Sequence, residues 1–301
     1  MREMTSQQKT LARSVECRGI SLHSGLQVRL RIHPARHDTG IVFQRSDLGG
    51  ARLKLRRARV VRADHATTLA GRGFTISTVE HLLAALRIMG VDNATIELDG
   101  PEVPIMDGSA APFVYLIRDA GTRKQHAPRH YMILRESVEI VDGDREIAIH
   151  PSDRLRVDYT IDFPGTAIGR QSFSRTLFQR VFMDEVAPAR TFCFLHDVAE
   201  MRKRGLALGG SLDNAVVVDE NGPMNKLRFQ DEYVRHKTLD LIGDLALLGA
   251  PVIGHVVARK AGHALHARLV EAIRASGALE VVEAHEAGSR ANVPAVAAAS
   301  A

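Results

Sequence analysis

The chain has 301 residues, 45% of them hydrophobic and 25% charged, with 24 glycines and no tryptophan. That composition excludes fibrous and disordered classes and provides apolar material enough for two domains. A formal charge of +5 suits an anionic partner (nucleic acid, a membrane face or a phosphorylated small molecule) or plain solubility.

Cys17 and Cys193 lie far apart and in no metal-type spacing, the pattern of a reducing compartment. Met1 to Thr10 is polar, and no apolar run approaches the ~20 residues of a membrane span. The expectation is a cytoplasmic protein without a transmembrane segment. The strongest basic cluster, Arg52 to Arg59, mostly alternates charged with apolar residues, as one solvated face of a strand does. No helix-turn-helix or RNA-binding signature accompanies it, so nucleic acid is not expected as a partner.

In chain order, Gln27 to His33 alternates as a strand ended by Pro34, and Gly40 to Phe43 and Ala51 to Val61 continue the pattern. A helix opens at Ser77 to Leu86, where Ser77 and Glu80 have capping-box spacing and Gly90 follows the end. Asn93 to Leu98 reads as a strand, and Ser109 caps a second helix over Ala110 to Ala120, closed by Gly121. The polar, basic stretch Gly121 to His130 marks a domain boundary, which predicts domains at 1–125 and 130–280. The second half shows strands near Val138 to His150 and Leu155 to Phe163, then helices near Asp197 to Gly205 and Glu232 to Leu248. Ala215 to Asp219 and Val252 to Arg259 are further strands, His263 to Ala275 is the last helix, and an Ala-rich tail at 287–301 frays. Strands precede pairs of helices in each half, an α+β order, and no residue-level repeat relates the halves.

Three segments carry chemistry. On a helix, His236, Asp240 and Asp244 fall on one stripe of Tyr233 to Leu245, and a His and an Asp four residues apart can share a metal ion. The competing reading is an amphipathic helix with its polar face in water, although Lys/Glu mixtures are usual there. Glu80-His81 places a carboxylate beside an imidazole, as zinc hydrolases require; the competing readings are a helix cap and a satisfied histidine. His263 follows Gly262 at a helix start, as a tuned acid or as a surface cap. His81, His236 and Asp240 together would form a three-ligand site with an open fourth position, the catalytic type.

In this order the segments resemble the UDP-3-O-acyl-N-acetylglucosamine deacetylases. The resemblance rests on Gly19-Ile20-Ser21-Leu22-His23-Ser24-Gly25, Thr78 to Leu86, Val103 to Phe113 and Ala189-Arg190-Thr191-Phe192. It continues through Arg204 to Asn214, Val234 to Asp244 and Gly262-His263-Ala264-Leu265. It implies a zinc enzyme that removes the N-acetyl group of a UDP-linked, 3-O-acylated glucosamine in the committed step of lipid A synthesis, and two β-α-α-β layered domains with the site between the helix layers. One catalytic zinc is implied on His81, His236 and Asp240, with iron(II) as the alternative ion. Glu80 is implied as general base, His263 as general acid charged by Asp244, and Thr191 as the oxyanion donor. Lys237, Phe192, His23, Leu22, Gly210 and Ser211 are implied at the substrate. An insert near 193–221 is implied to supply an acyl passage, with Phe192, Phe194, Leu195, Val198, Met201, Leu206 and Leu212 as candidate walls. His65 stands where some members carry Cys, and Gly165 to Phe182 is unusually rich in arginine. A monomer is expected. The rivals are a zinc amidohydrolase for another acylated amino-sugar, a non-catalytic zinc-binding paralogue and a nucleic-acid binder.

Overall fold

In the computed structural model, residues 6–284 are described; the predicted frayed tail lies outside them. The fold is α+β, with six helices among the described residues. Among those residues no helix is long and apolar enough to cross a membrane.

The two halves repeat one topology. In the first half the spatial strand order is Val15–Ile20, Gln27–Pro34, Ala94–Leu98, Ile41–Arg45, Ala51–Lys54. In the second it is Val138–Asp142, Arg145–His150, His255–Arg259, Arg156–Phe163, Gly169–Thr176. Each central strand runs antiparallel to one neighbour and parallel to the other. Helix α1 (Glu80–Ile88) precedes the first central strand and α2 (Ala111–Ala120) follows it. A short α3 (Gln179–Val181) and α4 (Leu195–Lys203) come next, then α5 (Glu232–Leu245) and α6 (His263–Ser276) flank the second central strand. The duplication has no residue-level trace because each strand needs only alternating apolar positions, as in Gln27–Pro34, where Val28, Leu30 and Ile32 are buried. Across the halves α1 packs along α5, and one apolar core runs through both.

Several expected elements change. Ala51 to Val61 is not one strand: Leu55–Arg57 forms a 3-10 turn that buries Leu55 between strands Ala51–Lys54 and Arg59–Arg62. Val252 to Arg259 divides into Val252–Ile253 and His255–Arg259, which belong to different sheets. The basic stretch after Gly121 contains a strand, Thr122–Pro128, paired with Gln7–Leu11. The arginine-rich segment supplies edge strand Gly169–Thr176, and its Arg175 pairs with Glu185 at 2.9 Å. A last strand, Leu279–Glu283, follows α6.

Candidate active site

At four-residue spacing α5 carries His236, Asp240 and Asp244 on one stripe, and all three are buried. The stripe is therefore not a wet polar face. The first turn of α1 presents Glu80 and His81, also buried. A Cβ at Gly243 would stand 2.1 Å from the Glu80 carbonyl oxygen, so glycine permits this close approach of the two helices.

Ser77 does not cap α1. Thr78 adopts φ +57° and its hydroxyl donates to Glu102 at 2.9 Å, so the helix begins later, after Val79 and without a side-chain cap. Ser77 instead pairs with Thr68 at 3.0 Å, and Glu80 Oε2 accepts the Thr67 backbone N–H at 3.1 Å.

His81 Nε2 lies 3.6 Å and His236 Nε2 3.2 Å from Asp240 Oδ1. One ligand atom from each residue lies within 4.8 Å of the others. His236 Nδ1 donates to the Ala189 carbonyl at 3.1 Å, which turns the Nε2 lone pair toward Asp240. Asp240 Oδ1 is buried and accepts no hydrogen bond. Burial pushes His236 down to about 3, against the opposing charge of Asp240. Burial resists ionisation of Asp240, but the cationic Lys237 and His263 hold its carboxyl well below the usual range. Neutral imidazole and an unsatisfied carboxylate oxygen thus converge on one point, which a cation satisfies. These three residues can hold a metal ion.

Beside them, His263 Nε2 lies 3.5 Å from Asp240 Oδ2 and 4.0 Å from Glu80 Oε1. Its Nδ1 donates to Asp244 Oδ2 at 2.8 Å. Burial opposes the charged ring, but Asp244 and Asp240 outweigh it and raise His263 to about 9. Burial likewise opposes ionisation of Asp244, yet His263 and its hydrogen bonds bring that carboxyl to about 2. Burial raises Glu80, with Asp240 and Asp244 adding to the effect against His263 and His81. Lys237 Nζ donates to Asp240 Oδ2 at 2.9 Å and lies 5.7 Å from the Phe192 ring centroid.

Glu80, His81, His236, Lys237, Asp240 and His263 line a polar cavity of about 140 Å³, with Asp244 behind His263. A more apolar cavity of about 490 Å³ adjoins it, and Leu22, His65, Phe163, Thr191 and Phe192 line both. His23, Gly210 and Ser211 line only the larger one, away from the metal-type cluster. Phe194, Leu195, Val198, Met201 and Leu212 form its walls, but Leu206 does not: it packs with Met201 and Ala207 in a small core of its own. The cavity is framed by strand Phe192–Phe194, α4 and the parallel strand Val216–Asp219. The Leu208 and Gly209 N–H groups donate to the His23 and Leu22 carbonyls, at 3.1 and 3.0 Å, which closes the loop against residues 22–23. A Cβ at Gly209 would fall 2.2 Å from the Ser21 carbonyl oxygen, so this contact also requires glycine.

Residues 8–275 match the family model of UDP-3-O-acyl N-acetylglycosamine deacetylase. The chain belongs to this family. Proteins named UDP-3-O-acyl-N-acetylglucosamine deacetylase are similar across most of its length. That of Anaeromyxobacter sp. (strain Fw109-5) is 51% identical over 89% of this chain and 88% of its own. That of Myxococcus xanthus (strain DK1622) is 49% identical over 91% and 88%, and that of Anaeromyxobacter dehalogenans (strain 2CP-C) is 47% identical over 96% of each. The chain is thus an amide-hydrolysing enzyme of the deacetylase family.

The site of this deacetylase-family chain includes residues that sequence reasoning missed. Thr67 Oγ1 donates to Asp244 Oδ1 at 2.5 Å, and His266 Nδ1 donates to Asp244 Oδ2 at 2.8 Å. The Tyr159 hydroxyl lies 3.0 Å from His266 Nε2 and 2.9 Å from the Ala261 carbonyl. Glu102 accepts the His23 and Ser24 backbone N–H groups, each at 2.8 Å. His266 alone had a signal available, one helical turn after His263; Thr67, Tyr159 and Glu102 reach the site only through tertiary folding.

Proposed function

We propose that this protein hydrolyses the N-acetyl amide of UDP-3-O-[(3R)-3-hydroxyacyl]-N-acetylglucosamine, a zinc-dependent reaction that releases acetate in lipid A biosynthesis. The observation that carries the reading is the unsatisfied Asp240 oxygen facing His81 and His236 where the polar cavity meets an apolar one. We read residues 1–125 and 130–280 as two domains, each a layered β-α-α-β unit, with 193–221 as the acyl insert, in a cytoplasmic monomer.

His81, His236 and Asp240 would hold the zinc ion, and iron(II) fits the same two-nitrogen, one-oxygen donor set. When bound, the ion supplies Lewis acidity to a water molecule and to the amide carbonyl. Glu80, raised by burial, accepts the proton of the water as its oxygen adds to the carbonyl carbon. Thr191, at the junction of the two cavities, donates to the tetrahedral oxyanion. His263, hydrogen-bonded through Nδ1 to Asp244, delivers a proton from Nε2 to the glucosamine nitrogen as the C–N bond breaks. Asp244 keeps that ring charged and oriented. Acetate and the free amine leave.

Lys237 and Phe192 border the reacting centre, while Leu22, His23, Gly210 and Ser211 line the acyl cavity. Substrates that differ only in acyl length test the assignment. Turnover should collapse without the 3-O-acyl chain; equal turnover of acylated and unacylated substrate would favour the amidohydrolase for another amino-sugar.

A further inference from the structure

Thr78 stands two residues before Glu80, is buried, and adopts φ +57°. The left-handed region is costly for a β-branched residue and persists only where surrounding contacts hold it. Glu102 supplies such a contact: its Oε1 accepts the Thr78 hydroxyl at 2.9 Å. The same oxygen accepts the His23 backbone N–H at 2.8 Å, and Oε2 accepts that of Ser24 at 2.8 Å. Glu102 is itself buried, and these three donors are neutral groups. A buried carboxylate held in this way is costly to keep, and what it supplies here is a tie between two loops.

The backbone around Glu102 is fixed toward both. Ser77 N–H donates to the Pro101 carbonyl at 2.9 Å and Val103 N–H to the Ser77 carbonyl at 3.0 Å. The Ser21 hydroxyl donates to the Glu102 carbonyl at 3.2 Å. The two loops serve different parts of the site. Thr78 lines the polar cavity and leads into α1, whose first residues are Glu80 and His81. Leu22 and His23 line the larger cavity, and their carbonyls accept the Gly209 and Leu208 N–H groups.

We propose that Glu102 is a positioning residue for both cavities: it sets the entry of α1, and with it Glu80 and His81, and in the same grip fixes the 22–24 loop beside the acyl chain. The inference rests on the roles given above to Glu80, His81 and the larger cavity. Without the Thr78 bond the strained backbone relaxes toward a commoner conformation, and the start of α1 turns with it. Displacing His81 weakens the metal site, and displacing Glu80 slows proton transfer. The side chains of α5 stay in place.

Zinc titrations of the metal-free, full-length protein and steady-state kinetics of the loaded enzyme test this. Thr78→Val keeps the side-chain shape and removes the hydroxyl; it should weaken zinc binding about tenfold and lower kcat about tenfold with KM little changed. Thr78→Ser keeps the hydroxyl and should restore most of both. In Glu102→Gln an amide NH2 must face at least one of the three donors. That variant should show the same losses and also raise KM for a long-acyl substrate about tenfold, with KM for a short-acyl substrate unmoved. Thr78→Val with the zinc affinity and kcat of the unmodified protein overturns the proposal, and so does Thr78→Ser as impaired as Thr78→Val. So does Glu102→Gln with KM changed equally at all acyl lengths. Should Thr78→Val fail to fold, Glu102→Gln carries the test, and unchanged zinc affinity there overturns the proposal. Zinc affinity is read without substrate, so it decides the matter independently; absence of acetate release from the unmodified protein counts against the deacetylase reading alone.

Discussion

His263 and His266 donate to the same oxygen, Asp244 Oδ2, each through Nδ1 at 2.8 Å. Burial lowers His266, so it donates as a neutral ring, and its Nε2 competes with the Ala261 carbonyl for the single Tyr159 hydroxyl proton, at 3.0 and 2.9 Å. With Thr67 on the other oxygen, the carboxylate is held by three donors and cannot turn away from His263.

His266→Leu should therefore lower kcat about tenfold with KM little changed, the cost of one hydrogen bond that orients the acid. His266→Asn, whose amide nitrogen takes roughly the place of Nδ1, should restore most of the rate. Steady-state kinetics of both variants check this. Equal losses would reduce His266 to a packing residue.

The charge on His263 should stabilise the metal-free protein. Its folded value, raised to about 9, exceeds its ordinary 6.5, so the contribution is complete below pH 6.5 and is lost as pH rises through about 9. The size is roughly 3 kcal/mol. Urea melts of chelated protein from pH 6 to 10 should show this slope, and His263→Gln should flatten it.

Gly243→Ala places a methyl 2.1 Å from the Glu80 carbonyl oxygen, which forces α5 away from the start of α1. Stability should drop by about 3 kcal/mol or more. Metal affinity should fall with it, because His81 comes from one helix and His236 and Asp240 from the other. Melting and a zinc titration read the two effects separately.

Ala215 is buried and lines the larger cavity. Ala215→Phe should reduce kcat/KM about tenfold or more for a long-acyl substrate, while a short-acyl substrate is turned over nearly as before. A uniform loss at all acyl lengths would argue that this cavity does not hold the chain.

Where periodicity fixed a face, the sequence was sufficient: the α5 stripe of His236, Asp240 and Asp244 follows from 3.6 residues per turn. Its burial did not follow, because the partner surface of α1 lies more than 150 residues earlier in the chain. Ser77 misled for a related reason. Its capping-box spacing with Glu80 is a local signal, and the long-range bond from Thr78 to Glu102 overrode it. The repeated topology was hidden because strand alternation leaves residue identity free, and Thr67 and Tyr159 were hidden because no spacing links them to Asp244.

The central claim is metal-assisted deacetylation at the Asp240 cluster, and the direct measurement is acetate release from UDP-3-O-acyl-N-acetylglucosamine by the purified protein. Release should disappear on chelation, return with stoichiometric zinc, and fall by about 10² or more in Glu80→Ala at unchanged zinc content. Undiminished release after complete metal removal, or none from zinc-loaded protein at several acyl lengths, would contradict it.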